Sequence, residues 1–215
     1  DNTNFDFSDT EIAKNSPIKW YPYNKGGEYR NWYGNNLYVV NWEHGGNDIE
    51  NSSGSVIRNK RFYFKSGVTY KLISSLGFSS RFVPQGFIFD NGSPMLFSDF
   101  DPTKITAFLC SKIVKKFIVF LNPTLNFQVG DVQRIPINLE LLNTIKLNTK
   151  ECINIAKQDW DAYETSWDFS DLSLIRSKSE CGSLEKSYKF LRSSWNEITK
   201  KMIDLETENN KVLIE

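Results

Sequence analysis

The stretch between residues 37 and 97 consists of short runs of β-branched and aromatic residues. Clusters of Gly, Asn, Pro and Ser separate these runs, and Gly and Asn accept the positive φ angles of tight turns. Each run is therefore predicted to form a short strand. The predicted strands are LYVVNW (37–42), RFYFK (61–65), VTYKLI (68–73), SSRFV (79–83), GFIF (86–89) and MLF (95–97), and the predicted turns are EHGGND (43–48) and DNGSP (90–94).

Apolar residues at helical spacing mark three segments after residue 100. Residues 102–122 begin with Pro102 and carry apolar residues on one face and lysines on the other, which predicts one amphipathic helix. Residues 138–163 have one apolar stripe and are predicted to form a second helix. In residues 183–208 the apolar positions alternate at steps of four and three, which predicts a third helix with Ser183 as its N-cap. This seam comprises Leu184, Tyr188, Leu191, Trp195, Ile198, Met202 and Leu205.

A seam this narrow needs a partner helix, so the last two helices are expected to form an antiparallel hairpin. Between the first two helices, LNFQV and QRIPI are predicted to be strand-like pieces around Gly130. The fold class is accordingly predicted to be mixed α+β. Residues 1–17 are expected to be a linker, 18–137 a β-rich domain with one amphipathic helix, and 138–215 a helical hairpin or spacer.

The charges are spread unevenly, although 26 basic and 26 acidic residues give a net charge of zero. Residues 51–130 hold ten Lys and Arg against three Asp and Glu, whereas residues 1–50 hold four against eight and residues 131–215 hold twelve against fifteen. The central third is therefore a candidate surface for a polyanion, and we expect its cations to form a single concave surface. The alternative is a solvated face whose acids come from elsewhere in the fold.

Composition indicates an ordinary globular protein, with 40% hydrophobic and 24% charged residues over 215 positions. No apolar run is long enough to span a bilayer. The chain starts without Met and with a loop-like segment, so we expect a piece of a longer cytoplasmic protein. Its three cysteines fit neither a zinc site nor a disulfide framework and are expected to be incidental thiols in a reducing compartment.

The residue types of common catalytic sites are scarce. His44 is the only histidine and lies in a predicted turn, which favours a surface histidine over a nucleophilic triad. No Walker loop, Gly-x-Gly-x-x-Gly or Glu-x-Lys occurs, and no metal site is expected. The sequence Asn122-Pro123-Thr124-Leu125 lacks the second Pro and the aromatic ring with which an Asn-Pro-Pro-aromatic loop holds an extruded adenine. No catalytic residue or bound cofactor is therefore expected in this chain.

Four long blocks resemble the C-terminal half of one bacterial family, the adenine-specific DNA methyltransferases of PglX type from BREX phage-exclusion systems, which are related to fused restriction-modification enzymes. The blocks are KWYPYNKGGEYRNWYGNNLYVVNWE from Lys19, SGVTYKLISSLGFSSRFVPQGFIFDNGS from Ser66, LNPTLNFQVGDVQRIPI from Leu121 and DWDAYETSWDF from Asp159. The resemblance implies that residues 18–137 are a target recognition domain for double-stranded DNA. It also implies that a catalytic domain elsewhere in the parent protein binds S-adenosylmethionine, and it leaves other phage-defence proteins as possible partners.

The resemblance and the basic central third together give candidate DNA contacts. The candidates for phosphate contact are Lys25, Arg58, Lys60, Arg61 and Lys65, and those for base reading or groove entry are Arg30, Thr69, Lys71, Ser79, Arg81 and Gln128. The rings of Trp20, Tyr21, Trp32 and Tyr33 could stack on an opened base pair, but most rings in so aromatic a chain are expected to fill the core.

Two other function classes stay open. Trp, Tyr, Asn and Asp together would suit a carbohydrate-binding module, although the basic stretch would then have no explanation. The heptad seam of residues 184–205 would suit a protein-interaction module that assembles a defence complex.

Overall fold

A computed structural model describes residues 10–214, apart from the side chains of Ser179 and Glu180. Over this range, six strands form two sheets and nine α-helices surround them. The strands are β1 (Trp20–Asn24), β2 (Tyr38–Asn41), β3 (Gly67–Tyr70), β4 (Ser80–Val83), β5 (Ile88–Phe89) and β6 (Met95–Leu96). The helices are α1 (Thr10–Lys14), α2 (Asn47–Glu50), α3 (Pro102–Cys110), α4 (Lys112–Leu121), α5 (Val129–Gln133), α6 (Leu139–Thr144), α7 (Thr149–Asp161), α8 (Ser173–Cys181) and α9 (Leu184–Ile214).

Each sheet has three short strands. The first has the order β2–β1–β5, in which β1 runs antiparallel to β2 and parallel to β5. The second has the order β4–β3–β6 and is antiparallel throughout, with Thr69 opposite Arg81 on β4 and opposite Met95 on β6. Sheets this small cannot form a core alone, so helices cover them. The predicted mixed α+β class is confirmed, but helices outweigh strands and the description β-rich is wrong.

The predicted strand RFYFK does not form. Residues Lys60–Phe62 make a 3₁₀ turn instead, between Asn59 at φ 59° and Phe64 at φ 67°. Two left-handed residues this close together are incompatible with an extended strand. The conformation of Phe64 is held by its neighbours, because its N–H donates to the Phe87 carbonyl at 2.8 Å and its carbonyl accepts from the Gly86 N–H at 2.9 Å.

The single helix predicted over residues 102–122 is two helices, α3 and α4. Ser111 leaves the helical conformation at φ −67°, ψ 156° and its hydroxyl caps α4 by accepting from the Val114 N–H at 3.3 Å. Asp101 caps α3 in the same way, through the Thr103 N–H at 2.8 Å. Ser favours caps over helix interiors, so this residue carried the signal for the break.

The two strand-like pieces predicted around Gly130 are also wrong. The Asn122 side chain closes the loop that follows α4, donating to the Asn126 carbonyl and accepting from the Thr124 N–H. A capping box between Gln128 and Asp131 then begins α5. Asn122 therefore has a structural role in this loop.

The C-terminal helices differ in number from the prediction. Residues 138–163 divide into α6 and α7, and α8 lies within the segment predicted to join the hairpin arms. The antiparallel hairpin consists of α8 and α9, joined at Gly182, whose φ of 79° ends α8, while α7 packs on the later part of α9. Ser183 caps α9 as predicted, through the Lys186 N–H at 3.3 Å.

Three clusters of buried residues hold the fold together. The first packs the second sheet on α3 to α6 through residues such as Val68 and Leu109. The second joins Trp32 and Tyr33 to α3, α7 and α9, and the third lies between the first sheet and α1. Among residues 10–214 no helix combines the length and the apolar character required to cross a membrane.

Candidate nucleic-acid interface

The cations of the central third are largely free of ion pairs. These residues are Arg58, Lys60, Arg61, Lys65, Lys71, Arg81, Lys104, Lys112, Lys115 and Lys116. Within the described part of the chain, Lys60 alone among them forms an ion pair, with Glu50. The excess positive charge is therefore not neutralised by pairing within the fold, which is the condition that binding to a polyanion requires.

One basic group surrounds the ring of Phe62. The Arg61 guanidinium lies 4.8 Å and the Lys65 ammonium 5.8 Å from the centre of this ring. Phe62 itself stacks on Phe97, with ring centres 4.9 Å apart and an interplanar angle of 14°. Arg58 lies at the start of the same segment and is exposed. Left-handed residues at Asn59 and Phe64 bracket this turn, and residues 58–65 carry four cations, of which Lys60 is paired with Glu50.

An open cavity of about 330 Å³ lies beside this segment. Rings of Phe62, Phe97 and Tyr70 form part of its wall, and the amide side chains of Asn59 and Gln133 line it as well. Asn59 and Gln133 are exposed, so the cavity opens to the surface. Residues of β6 and α5 complete the wall, which places the basic segment next to α5. We call the segment 58–65 and this cavity together the Phe62 site.

The Tyr70 hydroxyl is buried and has no hydrogen-bond partner among the described residues. Burial raises its pKa to about 12, and the negative charge of Asp131 adds to the effect. The hydroxyl therefore stays protonated at neutral pH. A buried donor without an acceptor is costly, which makes it a feature to explain.

A second basic group lies on α4. The Lys115 ammonium is 3.3 Å from the Tyr29 hydroxyl, and the Lys112 N–H donates to Asn210 near the end of α9. The Lys104 ammonium is used inside the fold, where it donates to the carbonyls of Asn143 and Ile145. Lys104 therefore belongs neither to the Phe62 site nor to the group of lysines on α4, and a single concave surface that carries the remaining cations stays a prediction.

The other phosphate candidates lie apart from the Phe62 ring. Lys25 is exposed at the end of β1, with its ammonium 5.6 Å from the centre of the Tyr38 ring. Lys60 is neutralised by Glu50 and lies 5.7 Å from the Trp42 ring. Lys25 can therefore reach a ligand at the surface, whereas Lys60 would have to leave its carboxylate.

Arg30 has a structural role that the sequence did not reveal. Its guanidinium donates to the Tyr33 carbonyl at 2.7 Å, to the Ala156 carbonyl at 3.0 Å and to the Asp159 carboxylate at 2.5 Å. A Cβ at Gly34 would lie 2.6 Å from the Arg30 Nε, so only glycine fits beside it. Arg30 joins the loop before β2 to α7, and these contacts hold its guanidinium against the fold.

The structure also corrects three other base-reading candidates. Thr69 and Ser79 are fully buried, and the Thr69 hydroxyl bonds to Ser93 and Pro94. Arg81 is 1% exposed, and none of its guanidinium nitrogens has a hydrogen-bond partner in the described structure. Burial lowers the Arg81 pKa to about 10, and the nearby charge of Arg30 contributes. A side chain that reads a base must reach into a groove of the DNA, and these three side chains are buried, so we no longer consider them as base contacts.

Two base-reading candidates stay accessible. Lys71 is half-buried just after β3, and Gln128 is exposed at the start of α5. Of the four aromatic candidates, three are buried in the core, as expected for most rings of this chain: Tyr21, Trp32 and Tyr33. The fourth, Trp20, is 39% exposed.

Sequence reasoning missed Phe62, Tyr70 and Gln133, which the fold brings together around one cavity. The sequence predicts a strand at Phe62, and successive side chains of a strand point to opposite faces of its sheet. The cations at positions 60, 61 and 65 around Phe62 are the signal for it in the sequence. No sequence pattern indicates Gln133, because its position beside the cavity depends on where α5 packs.

Comparison with known proteins finds this chain similar to a segment of two longer proteins. No family model matches it. It is 34% identical over 201 residues to the adenine-specific methyltransferase BrxX of Escherichia coli O9:H4 (strain HS), which covers 92% of the chain and 16% of that relative. It is also 34% identical over 170 residues to the adenine-specific methyltransferase PglX of Lacticaseibacillus casei (strain Zhang), covering 75% of the chain and 14% of that relative. The chain therefore spans only a small part of the relatives that it matches.

Proposed function

Since this chain is related over most of its length to one segment of the PglX and BrxX adenine-specific methyltransferases, we propose that it recognises the DNA target of such an enzyme. The methyl transfer itself is assigned to other parts of the parent protein, which also bind S-adenosylmethionine. This division agrees with the small share of the relatives that the chain covers. On this proposal the parent is a phage-defence or restriction-modification methyltransferase.

One observation carries the proposal. Arg58, Arg61 and Lys65 are exposed cations without an ion pair in the described structure. Arg61 and Lys65 lie beside Phe62, whose ring lines an open cavity together with other rings and two amides. Unpaired cations supply the sequence-independent attraction to phosphates. Amide groups beside them supply hydrogen bonds of defined direction, which is what reading a base edge requires.

The accessible residues divide into two roles. Arg58, Arg61 and Lys65 contact phosphates, with Lys25 as a peripheral contact. Gln133 lines the cavity and is assigned to base contact. Gln128 and Lys71 from the original candidates adjoin the lining residues Val129 and Tyr70 and are assigned the same role. The lysines of α4 form a second patch that can contact DNA only if the duplex extends or bends toward it.

The test measures binding of the chain to duplex DNA by fluorescence anisotropy at several salt concentrations. The logarithm of affinity should fall with the logarithm of salt concentration by about 0.9 for each phosphate contact. Arg61→Ala and Lys65→Ala should each reduce this slope by about one contact and weaken all duplexes alike. Lys150→Ala and Lys200→Ala are matched controls, since both lysines are exposed on α7 and α9 and form no ion pair in the described structure.

The proposal fails if the chain binds no duplex, or if the control lysines reduce the slope as much as Arg61 does. Binding that hardly responds to salt would instead support a carbohydrate or other neutral ligand. Target recognition in the parent is tested by introducing Gln128→Ala and Gln133→Ala into the whole enzyme and mapping methylated adenines. A changed methylation motif is expected.

A second function is favoured by the α8–α9 hairpin. In the first half of α9, Leu184, Tyr188 and Trp195 of the seam stay about half exposed, although α8 packs along this helix. Exposed apolar residues in a row are typical of protein contacts. This surface would contact another part of the parent or a partner protein, and Trp195→Ala should then weaken that assembly without changing DNA affinity.

A further inference from the structure

We propose that the cavity of the Phe62 site binds one nucleobase that has left the stack of a DNA duplex. This inference rests on the proposed DNA recognition and specifies the part of the DNA that the cavity binds. It concerns a base held by this chain, and it is separate from the base that undergoes chemistry elsewhere in the parent.

The walls of the cavity suit a flat, partly apolar ligand. Phe62, Phe97 and Phe89 form a group of rings in contact, with Phe89 and Phe97 centred 5.4 Å apart. The cavity measures about 330 Å³, and Tyr70 and Leu96 also line it. Apolar walls with a few directed polar groups are typical of small-ligand sites. An unstacked base has the same combination of an apolar face and a polar edge.

The Tyr70 hydroxyl supplies an independent indication of a ligand. Tyr70 lines the cavity, is 2% exposed, and its hydroxyl bonds to no described residue. A buried hydroxyl without a partner costs free energy, and a ring nitrogen or carbonyl of a base would satisfy it. Because burial raises the pKa of this hydroxyl to about 12, it is available as a donor across the physiological range.

The mouth of the cavity carries groups that can tell one base edge from another. Asn59 and Gln133 each offer a donor and an acceptor. Asn59 is in the left-handed conformation, which Asn adopts more readily than most residues, and its exposed side chain lines the cavity. Amides are the side chains that bond well to the polar edges of bases.

The charges around the mouth fit the nucleotides on either side of an extruded base. Arg61 and Lys65 both lie beside Phe62, and neither forms an ion pair in the described part of the chain. A nucleotide that leaves the stack brings its two phosphates toward the protein surface. Cations next to an aromatic cavity are the arrangement with which proteins hold unstacked bases.

The experiment compares two duplexes that differ at one position. Each carries a central 2-aminopurine, opposite thymine in one duplex and opposite cytosine in the other, because a mispaired base costs less to extrude. Wild-type chain should prefer the mismatched duplex by on the order of tenfold. Tyr70→Phe should reduce that preference by about 3- to 10-fold and leave affinity for the matched duplex unchanged, since one hydrogen bond is removed.

Two further variants keep the test independent of folding. Gln133→Ala changes an exposed residue at the end of α5 and should also reduce the preference. Tyr188→Phe makes the same chemical change as Tyr70→Phe on an exposed tyrosine of α9 and should have no effect. Thermal melting of each variant confirms that the fold is intact.

Equal affinity of the wild type for both duplexes overturns the inference while salt-dependent binding still supports DNA recognition. The same holds if Tyr70→Phe keeps the full preference. If the chain binds neither duplex, the proposed function fails. The inference is then tested with a single-stranded oligonucleotide that carries one 2-aminopurine among abasic positions. Binding that Tyr70→Phe weakens supports the cavity as a base site, and no binding overturns it.

Discussion

At the scale of single residues, a buried guanidinium without a hydrogen-bond partner in the described structure lies on β4 of the second sheet. Arg81 pairs across the strands with Thr69 and also bridges to Trp32 through the backbone. Its nitrogens find no acceptor among the described residues, and burial lowers its pKa to about 10. At neutral pH the fold therefore keeps a desolvated charge that is not compensated, which destabilises it.

Arg81→Met should raise the free energy of unfolding by about 1 to 2 kcal/mol, because it replaces an uncompensated charge with an apolar chain of similar length. Urea denaturation measures the change. Arg192→Met on the exposed side of α9 is the control and should have little effect. A lower stability of Arg81→Met would mean that the guanidinium has an acceptor in solution.

The cysteines make a second prediction at this scale. Burial raises the pKa of the Cys110 thiol to about 11 and that of Cys152 to about 12, whereas Cys181 is half-buried at the end of α8. Since only the thiolate reacts, a thiol reagent at pH 8 should label Cys181 alone in the native protein. All three thiols should react in denaturant, and Cys181→Ser should abolish native labelling. Rapid native labelling of Cys110 would contradict this.

The same shifts predict how stability depends on pH. An unfolded cysteine ionises near 9.0, below the folded pKa of about 11 for Cys110. The unfolded state therefore binds fewer protons between these values, and the free energy of unfolding should fall as the pH rises from about 9 to about 11. Cys110→Ala should flatten this part of the stability curve, measured by urea denaturation at each pH.

At the scale of elements, one capping residue decides whether residues 102–121 form one helix or two. Ser111 is buried between α3 and α4, and the break lets Val114 and Ile118 of α4 pack into the first core cluster. A continuous helix would continue the direction of α3. The short break thus sets the direction of α4 and of the lysines that it carries.

Ser111→Ala should lower the free energy of unfolding by about 0.5 to 2 kcal/mol, because α4 loses the acceptor for its Val114 N–H. Chemical denaturation measures the loss. Ser53→Ala in the exposed loop after α2 is the matched control and should change stability little. An unchanged stability for Ser111→Ala would show that the break is set by packing alone.

At the scale of the whole molecule, the C-terminal helices are part of the core. The Trp32 Nε1 donates to Glu206 of α9 at 2.6 Å, and the Asn148 N–H donates to Asn209 at 2.7 Å. Trp32, Cys152 and Leu205 share the second cluster, which joins residues far apart in the sequence. The proposed DNA-recognising part and the helices after residue 137 therefore stabilise each other.

A chain ending at residue 137 should fold poorly, because the second cluster would lose α7 and α9 and expose Trp32 and Tyr33. Size-exclusion chromatography and near-UV circular dichroism of the truncated chain test this, with a chain ending at residue 214 as control. A monomeric truncation with a sharp thermal transition would show that residues 18–137 are an autonomous domain.

Some features could be predicted from the sequence because their causes are local. The mixed α+β class, strands β2 and β4, and the N-cap of α9 at Ser183 follow from side-chain alternation, turn residues and capping chemistry. The resemblance to PglX-type methyltransferases likewise needs only the order of residues, and the curated relatives agree with it.

Only the tertiary structure decided which polar side chains are accessible. In the sequence, Arg30 and Arg81 cannot be distinguished from the exposed Arg61. In the fold, Arg30 donates a hydrogen bond to α7 and Arg81 is buried. Similarly, Phe62 and Gln133 meet only because left-handed turns at Asn59 and Phe64 fold the basic segment back on itself and α5 packs beside β6. Burial and proximity depend on contacts between residues distant in the chain, and no local pattern encodes them.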